Sequence, residues 1–160
     1  MRKNKSKKNT LDVFLLGAGR PSSGVSPSAL KYVASNTTAI DWQIDSFKAI
    51  PDANNIHFLG GYRVDSIINS YPQLSYTVIP DWEKKGVLHT LLKAPFSNRS
   101  LILSYSDTLF RKEAILEMLS IEADIVFGVD SFWEKRYESR SVGDIQVAET
   151  VEIQDYEGEQ

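Results

Sequence analysis

The chain has 160 residues, 42% of them hydrophobic, and a net charge of −3, which suits one globular domain with a proper core. With no cysteine it is excluded from disulfides, thiolate-bound zinc or iron–sulfur clusters and thiol catalysis. No apolar run approaches the ~20 residues that span a bilayer, and LDVFLLGAG, which follows the basic start, is broken by Asp12 and glycines, unlike a secretory signal; a cytoplasmic protein is expected, with neither nucleic acid nor membrane as a partner.

Residues 1–10 carry Arg2, Lys3, Lys5, Lys7 and Lys8 and are expected to be a solvated, disordered tail ahead of one domain over 11–160. DVFLL, ended by glycine, predicts a buried strand. Residues 20–38, rich in Ser, Pro and Gly, predict a long loop. Thr38 is placed to cap a helix over AIDWQIDSFKAI, with Ile40, Ile44 and Phe47 on one face and Pro51 as its stop. NNIHFLGG predicts a strand ending in a glycine pair, RVDSIINSY a short helix, and LSYTVIP a strand. DWEKKGVLHTLLKAPF predicts a loop leading into a helix near Gly86. RSLILSYSD predicts a strand with a continuously apolar middle. RKEAILEMLSIE predicts a helix turning Ile115, Met118 and Leu119 inward, and ADIVFGVD a further apolar strand. DSFWEKRYESR suits a loop or short helix, and DIQVAETVEI a strand or hairpin. Apolar strands alternating with helices predict an α/β fold: a mostly parallel sheet between helical layers, three layers in all and Rossmann-like.

Ligands of such folds bind beyond the carboxyl ends of the strands. Five segments would gather there: GAGRP, GGYR, PDWEKKG, YSD and VDSFW. Glycines after the first strand let backbone N–H groups approach an anion. Arg20 and Lys31 can neutralise phosphate, Arg20 with a bidentate fork and Lys31 as a point charge. Asp107 suits Mg²⁺, a hard cation that bridges to substrate phosphates, or alternatively caps a helix starting near Arg111. Trp42, Trp82 and Trp133 are expected to pack, and His57 to be structural. His89 lies nearer the site, with no sequence neighbour marking it as a base. Two phosphate motifs fail: Gly24 is followed by Val25 and Ser26 rather than Lys and Ser/Thr, and GAGRPS ends in serine where a dinucleotide fold needs glycine.

The series LLGAGR, PSALK, DWQI, HFLGGYR, PDWEKKGVLHTLL and LILSYSDTLF, in this order over roughly residues 11 to 140, resembles the nucleotidyltransferases that activate sugar phosphates, phosphocholine and phosphonates. Arg20 follows Gly19 directly and Ser106 precedes Asp107, where that family has a spacer and a glycine. The resemblance implies transfer of a nucleoside monophosphate from a triphosphate, CTP or UTP, to a phosphorylated small-molecule acceptor, with Mg²⁺ as cofactor and release of pyrophosphate. It implies nucleotide contacts at Leu16, Gly17, Ala18, Gly19, Gly61 and Gly86, and catalytic roles for Arg20, Lys31 and the metal-binding Asp107. Members run longer, so a fragment or a shortened relative is expected; a homo-oligomer is compatible with either. The alternative is a non-catalytic module that binds a nucleotide or nucleotide-sugar.

Overall fold

The computed structural model describes residues 11–152, apart from residues 22, 23, 52, 54, 85 and 147 and the side chain of residue 144. The basic tail expected over residues 1–10 lies outside the described residues. The chain divides into two compact units, Met1–Glu117 and Met118–Gln160.

The first unit is built on four parallel strands. β1 (Asp12–Gly17) pairs on one side with β4 (Asn55–Gly60) and on the other with β6 (Leu101–Tyr105), and β5 (Ser75–Val78) pairs with β4, giving the order β5-β4-β1-β6. The register runs unbroken from Asp12 opposite Asn55 to Gly17 opposite Gly60, so the strands around β1 end at one edge. Alternation along β1 separates two cores. Val13 and Leu15 pack with Phe58 and with Ile40, Ile44 and Phe47 of α1 (Ala39–Lys48), Ile67 of α2 (Val64–Ser70) and Ile115 of α4 (Lys112–Ser120). Phe14 and Leu16 face the other way, with Leu59 and with Ala94 just beyond α3 (Val87–Leu91). The sheet is therefore a Rossmann-like α/β layer flanked by helices.

α1 forms where the sequence predicts it. The Thr38 hydroxyl accepts from the Asp41 amide at 3.2 Å while the Asp41 carboxylate accepts the Thr38 amide at 2.9 Å, a reciprocal capping box. Tyr71 donates to the other Asp41 oxygen at 2.8 Å. Among the residues of the inward face, Gln43 is fully buried beside Ile40, Ile44 and Phe47.

Four expectations are corrected. Residues 20–38 are not all loop: a 3-10 turn (Ser28–Leu30) leads into a hairpin of β2 (Tyr32–Ala34) and β3 (Thr37–Thr38), whose strands of three and two residues are too short to show a strand period. The apolar middle of β6 is not sealed, since Leu101 and Leu103 lie on the thinly covered Phe14 face of an edge strand and are about 40% exposed. Of the inward residues expected in α4, Ile115 is buried, whereas Leu119 is exposed. ADIVFGVD, expected to be a strand, forms no ladder, so VDSFW is not a strand-end loop.

The second unit holds α5 (Trp133–Tyr137) and α6 (Val142–Gln146). The latter replaces the first part of the strand or hairpin expected over DIQVAETVEI. Trp133 and Tyr137 meet edge to face, and Arg136 pairs with Asp130 at 2.6 Å. A cleft of about 310 Å³ is lined by Trp133, Glu134, Tyr137, Glu138 and Ile145, and it contains none of the candidate nucleotide, catalytic or metal residues. Among the described residues no helix is long and apolar enough to cross a membrane.

Candidate functional site at the carboxyl edge of the sheet

The loops after β1, β4, β5 and β6 leave the sheet at its carboxyl edge, and three of them interlock. The Tyr62 amide donates to the Ala18 carbonyl at 2.9 Å. A Cβ on Gly61 would stand 2.5 Å from Trp82 and 2.8 Å from that carbonyl, so only glycine lets the three loops approach this closely. Tyr62 and Trp82 meet edge to face at 5.3 Å, and the Arg20 guanidinium lies 5.5 Å from the Tyr62 ring centre, within cation–π range. Trp82 thus packs, as expected, but as part of the loop cluster rather than of the core.

The Ser-rich loop is tied to the same cluster. The Val25 carbonyl accepts from the Tyr62 hydroxyl at 3.1 Å and from Arg63 at 2.5 Å. Arg63 holds a left-handed backbone, φ 47°, a conformation costing a non-glycine residue about 1–2 kcal/mol, and its guanidinium bond helps to retain it.

At the β6 side, the Leu16 carbonyl accepts from the Ser106 amide at 2.9 Å, and a Cβ on Gly17 would stand 2.7 Å from the Ser106 hydroxyl. The Thr108 amide donates to the Tyr105 carbonyl at 3.2 Å, which makes Tyr105–Thr108 a β-turn with Ser106 and Asp107 at its centre. Asp107 is exposed and makes no side-chain hydrogen bond or ion pair among the described residues. α4 begins at Lys112, five residues further on, so Asp107 is not its N-cap.

Gly19 and Gly86 are open: no protein atom lies within 4 Å of a Cβ built on either. Gly86 is the N-cap of α3. Leu16 and Gly17, at the end of β1, and Ala18, Arg20, Gly61 and Asp107, in the loops beyond the strands, thus belong to segments joined by described contacts. Lys31 stands apart. It is exposed at the end of the 3-10 turn, its carbonyl accepts the Ala39 amide at 2.9 Å, and no described contact joins its side chain to Arg20 or Asp107.

Two features were missed in the sequence. His89 has a carboxylate partner, Asp81, at 3.1 Å. Burial pushes the Asp81 carboxyl up, but the His89 bond, its own backbone, and the charges of His89 and Lys93 together hold it below its ordinary value. The second is α1 itself, which grips the segment after β6. Gln43 donates to the Tyr105 and Thr108 carbonyls at 2.7 and 2.6 Å, and the Trp42 indole donates to the Phe110 carbonyl at 2.6 Å. A glutamine within the apolar stripe Ile40, Ile44, Phe47 is the signal that could have revealed it.

No group of three or more His, Cys, Asp or Glu side chains forms a metal cage among the described residues. A single free carboxylate at a strand end suits a cation carried in with phosphates, as Mg²⁺ usually is, rather than one resident in the protein.

No protein-family model matches the chain. Among curated proteins, over 128 residues the chain is 24% identical to the CTP:phosphoglutamine cytidylyltransferase of Campylobacter jejuni subsp. jejuni serotype O:2, covering 74% of this chain and 50% of the relative. The chain therefore spans about half the length of the curated relative it matches. Together with the Rossmann-like sheet, the match supports a nucleotidyltransferase relationship.

Proposed function

We propose that this region binds a nucleoside triphosphate, CTP in the first instance, at the carboxyl edge of its sheet and takes part in nucleotidyl transfer to a phosphorylated small molecule. The observation that carries this is one edge bearing the open backbone of Gly19, the Arg20 guanidinium and the unpartnered Asp107 carboxylate. The acceptor belongs to the phosphate-bearing class that includes phosphoglutamine, the substrate in the name of the relative, and the phospho-alcohols.

In this reaction an acceptor phosphate oxygen forms a bond to the α-phosphorus of the triphosphate. The bond from that phosphorus to the α–β bridging oxygen breaks, and pyrophosphate leaves with the electron pair. The acceptor oxygen is already anionic, so no general base is needed, and catalysis rests on alignment and charge neutralisation. Leu16, Gly17, Ala18 and Gly19 offer backbone to the nucleotide. Arg20 steadies the triphosphate and the departing pyrophosphate. Gly86 leaves room for the nucleoside, and Gly61 serves the nucleotide site by letting the loop after β4 close against Trp82 and the Ala18 carbonyl. Lys31 acts on the α-phosphate or the acceptor once loop and ligand come together. Asp107 would hold Mg²⁺, which when bound would supply positive charge to offset that of the phosphates.

The test is a thermal-shift panel of CTP, UTP, GTP, ATP, dTTP and NAD, with and without Mg²⁺, followed by pyrophosphate release with the triphosphate that binds. A ligand at about 100 times its dissociation constant adds about 2.7 kcal/mol of stability. A Mg²⁺-dependent shift with CTP is expected, and a shift with NAD alone would overturn the proposal. Asp107→Ala is expected to lower turnover by about 100-fold or more and to leave stability within about 0.5 kcal/mol, because the side chain is exposed and unpartnered. Full activity in that variant would remove Asp107 from the mechanism. Binding without pyrophosphate release would favour the non-catalytic module.

A further inference from the structure

Gln43 is a polar side chain with no exposed surface in the middle of an apolar helix face. Its Nε2 donates both hydrogens, to the Tyr105 carbonyl at 2.7 Å and to the Thr108 carbonyl at 2.6 Å. Its Oε1 has no hydrogen-bond partner. A buried orphan acceptor is unfavourable, and a leucine or methionine would fill this stripe without one. What the amide supplies is a planar pair of uncharged donors, and both go to the first and last residues of the β-turn that carries Asp107. The turn's own bond, from the Thr108 amide to the Tyr105 carbonyl, is long at 3.2 Å, so the glutamine fork is the tighter of its two closures. Reversing the amide would set Oε1 against two carbonyl oxygens, so the orientation is determined.

We infer that Gln43 is the positioning residue for Asp107: it closes the Tyr105–Thr108 turn at both ends and so fixes the direction of the carboxylate that meets the phosphates. This rests on the nucleotidyl-transfer role proposed for Asp107, but the closure of the turn does not. Glutamate in its place would set carboxylate oxygens against both carbonyls. Methionine would keep length and approximate volume while removing the donors and the orphan acceptor together, so Gln43→Met is expected to fold.

The test has two parts, done on the full chain. Amide hydrogen exchange is compared in the unmodified protein, Gln43→Met and Gln43→Glu. Thr108 is expected to lose about tenfold in protection when hydrogen bonds worth about 1–1.5 kcal/mol are removed, with the β4 amides unchanged. Unchanged Thr108 protection, or an equal loss throughout the sheet, would overturn the inference. Calorimetric binding of CTP is then measured with and without Mg²⁺ for the unmodified protein, Gln43→Met, Asp107→Asn and the double variant. Gln43→Met is expected to weaken the Mg²⁺-dependent binding about tenfold, and the double variant to bind no more weakly than Asp107→Asn, because residues acting through one group are non-additive. Additive losses would show that Gln43 acts elsewhere and overturn the assignment. Failure of the unmodified protein to bind CTP would strike the functional proposal instead, while the exchange result would still decide whether Gln43 closes the turn.

Discussion

In the first unit Val13, Leu15, Phe47 and Phe58 are sealed from solvent, whereas in the second Ile125, Phe127 and Phe132 are each about 70% exposed. Both regions contain runs that look like buried strands. DVFLL becomes one because β4 and β6 supply hydrogen bonds on either side and α1 covers one face. IVFGV is comparably apolar but has no described ladder partner, and an isolated strand cannot satisfy its backbone or bury its side chains. Apolar composition is thus a demand for partners, and the fold decides whether it is met.

The contrast can be broken most forcefully at Phe47, which packs against Phe110 at 5.3 Å and sits in the larger core. Phe47→Ala is expected to cost about 3–5 kcal/mol in urea unfolding. A loss below 1 kcal/mol would mean that this core is not what holds the first unit together. Gly61→Ala comes next, at about 1–3 kcal/mol, because the new methyl would meet Trp82 and the Ala18 carbonyl. If it melts like the unmodified protein, the three loops do not interlock as described.

A smaller effect is expected at the cap of α1. Thr38→Ala should cost about 1 kcal/mol at neutral pH. Burial pushes the Asp41 carboxyl up, but the bonds from Thr38 and Tyr71 and the charge of Lys48 outweigh it and hold it below its ordinary value. A carboxyl depressed in the folded state contributes stability that is complete above its unfolded value and is lost as pH falls through the folded one. The difference between Thr38→Ala and the unmodified protein should therefore shrink in acid, which urea titrations from pH 7 downward would show. A gap that stays constant would remove the carboxylate from the cap. Phe127→Ala is expected to change stability by less than about 0.5 kcal/mol. A loss matching that of Phe47→Ala would erase the distinction between the regions.

His57 sharpens the first unit from another side. Burial pushes its imidazole below its ordinary value and the charge of Asp12 opposes this only in part. The folded state thus favours the neutral ring, which bonds the Thr77 hydroxyl at 2.8 Å, in keeping with the structural role its strand position suggested.

Much of the first unit was legible in the chain. Thr38 with Asp41 three residues on, and Ile40, Ile44 and Phe47 at helical spacing, specify α1 and its start through contacts a few residues apart. The strand-to-glycine transitions at Gly17 and Gly60 likewise mark where β1 and β4 stop, and hence the edge at which the candidate site stands. The β2–β3 hairpin was hidden because its strands, three and two residues long, are too short to show a period. Local sequence also offered the side chains of the candidate site: Gly19, Arg20 and Asp107 stand beside strand ends whatever the sheet order. Only the tertiary structure decided that Gln43 reaches carbonyls 62 and 65 residues away, that Trp82 rather than solvent lies against Gly61, that Lys31 stands apart from Arg20, and that one apolar run gains a ladder while another does not. The physical reason is range: caps, turns and helical stripes are set by neighbours along the chain, whereas strand pairing and buried hydrogen bonds require partners that only the folded sheet brings within reach.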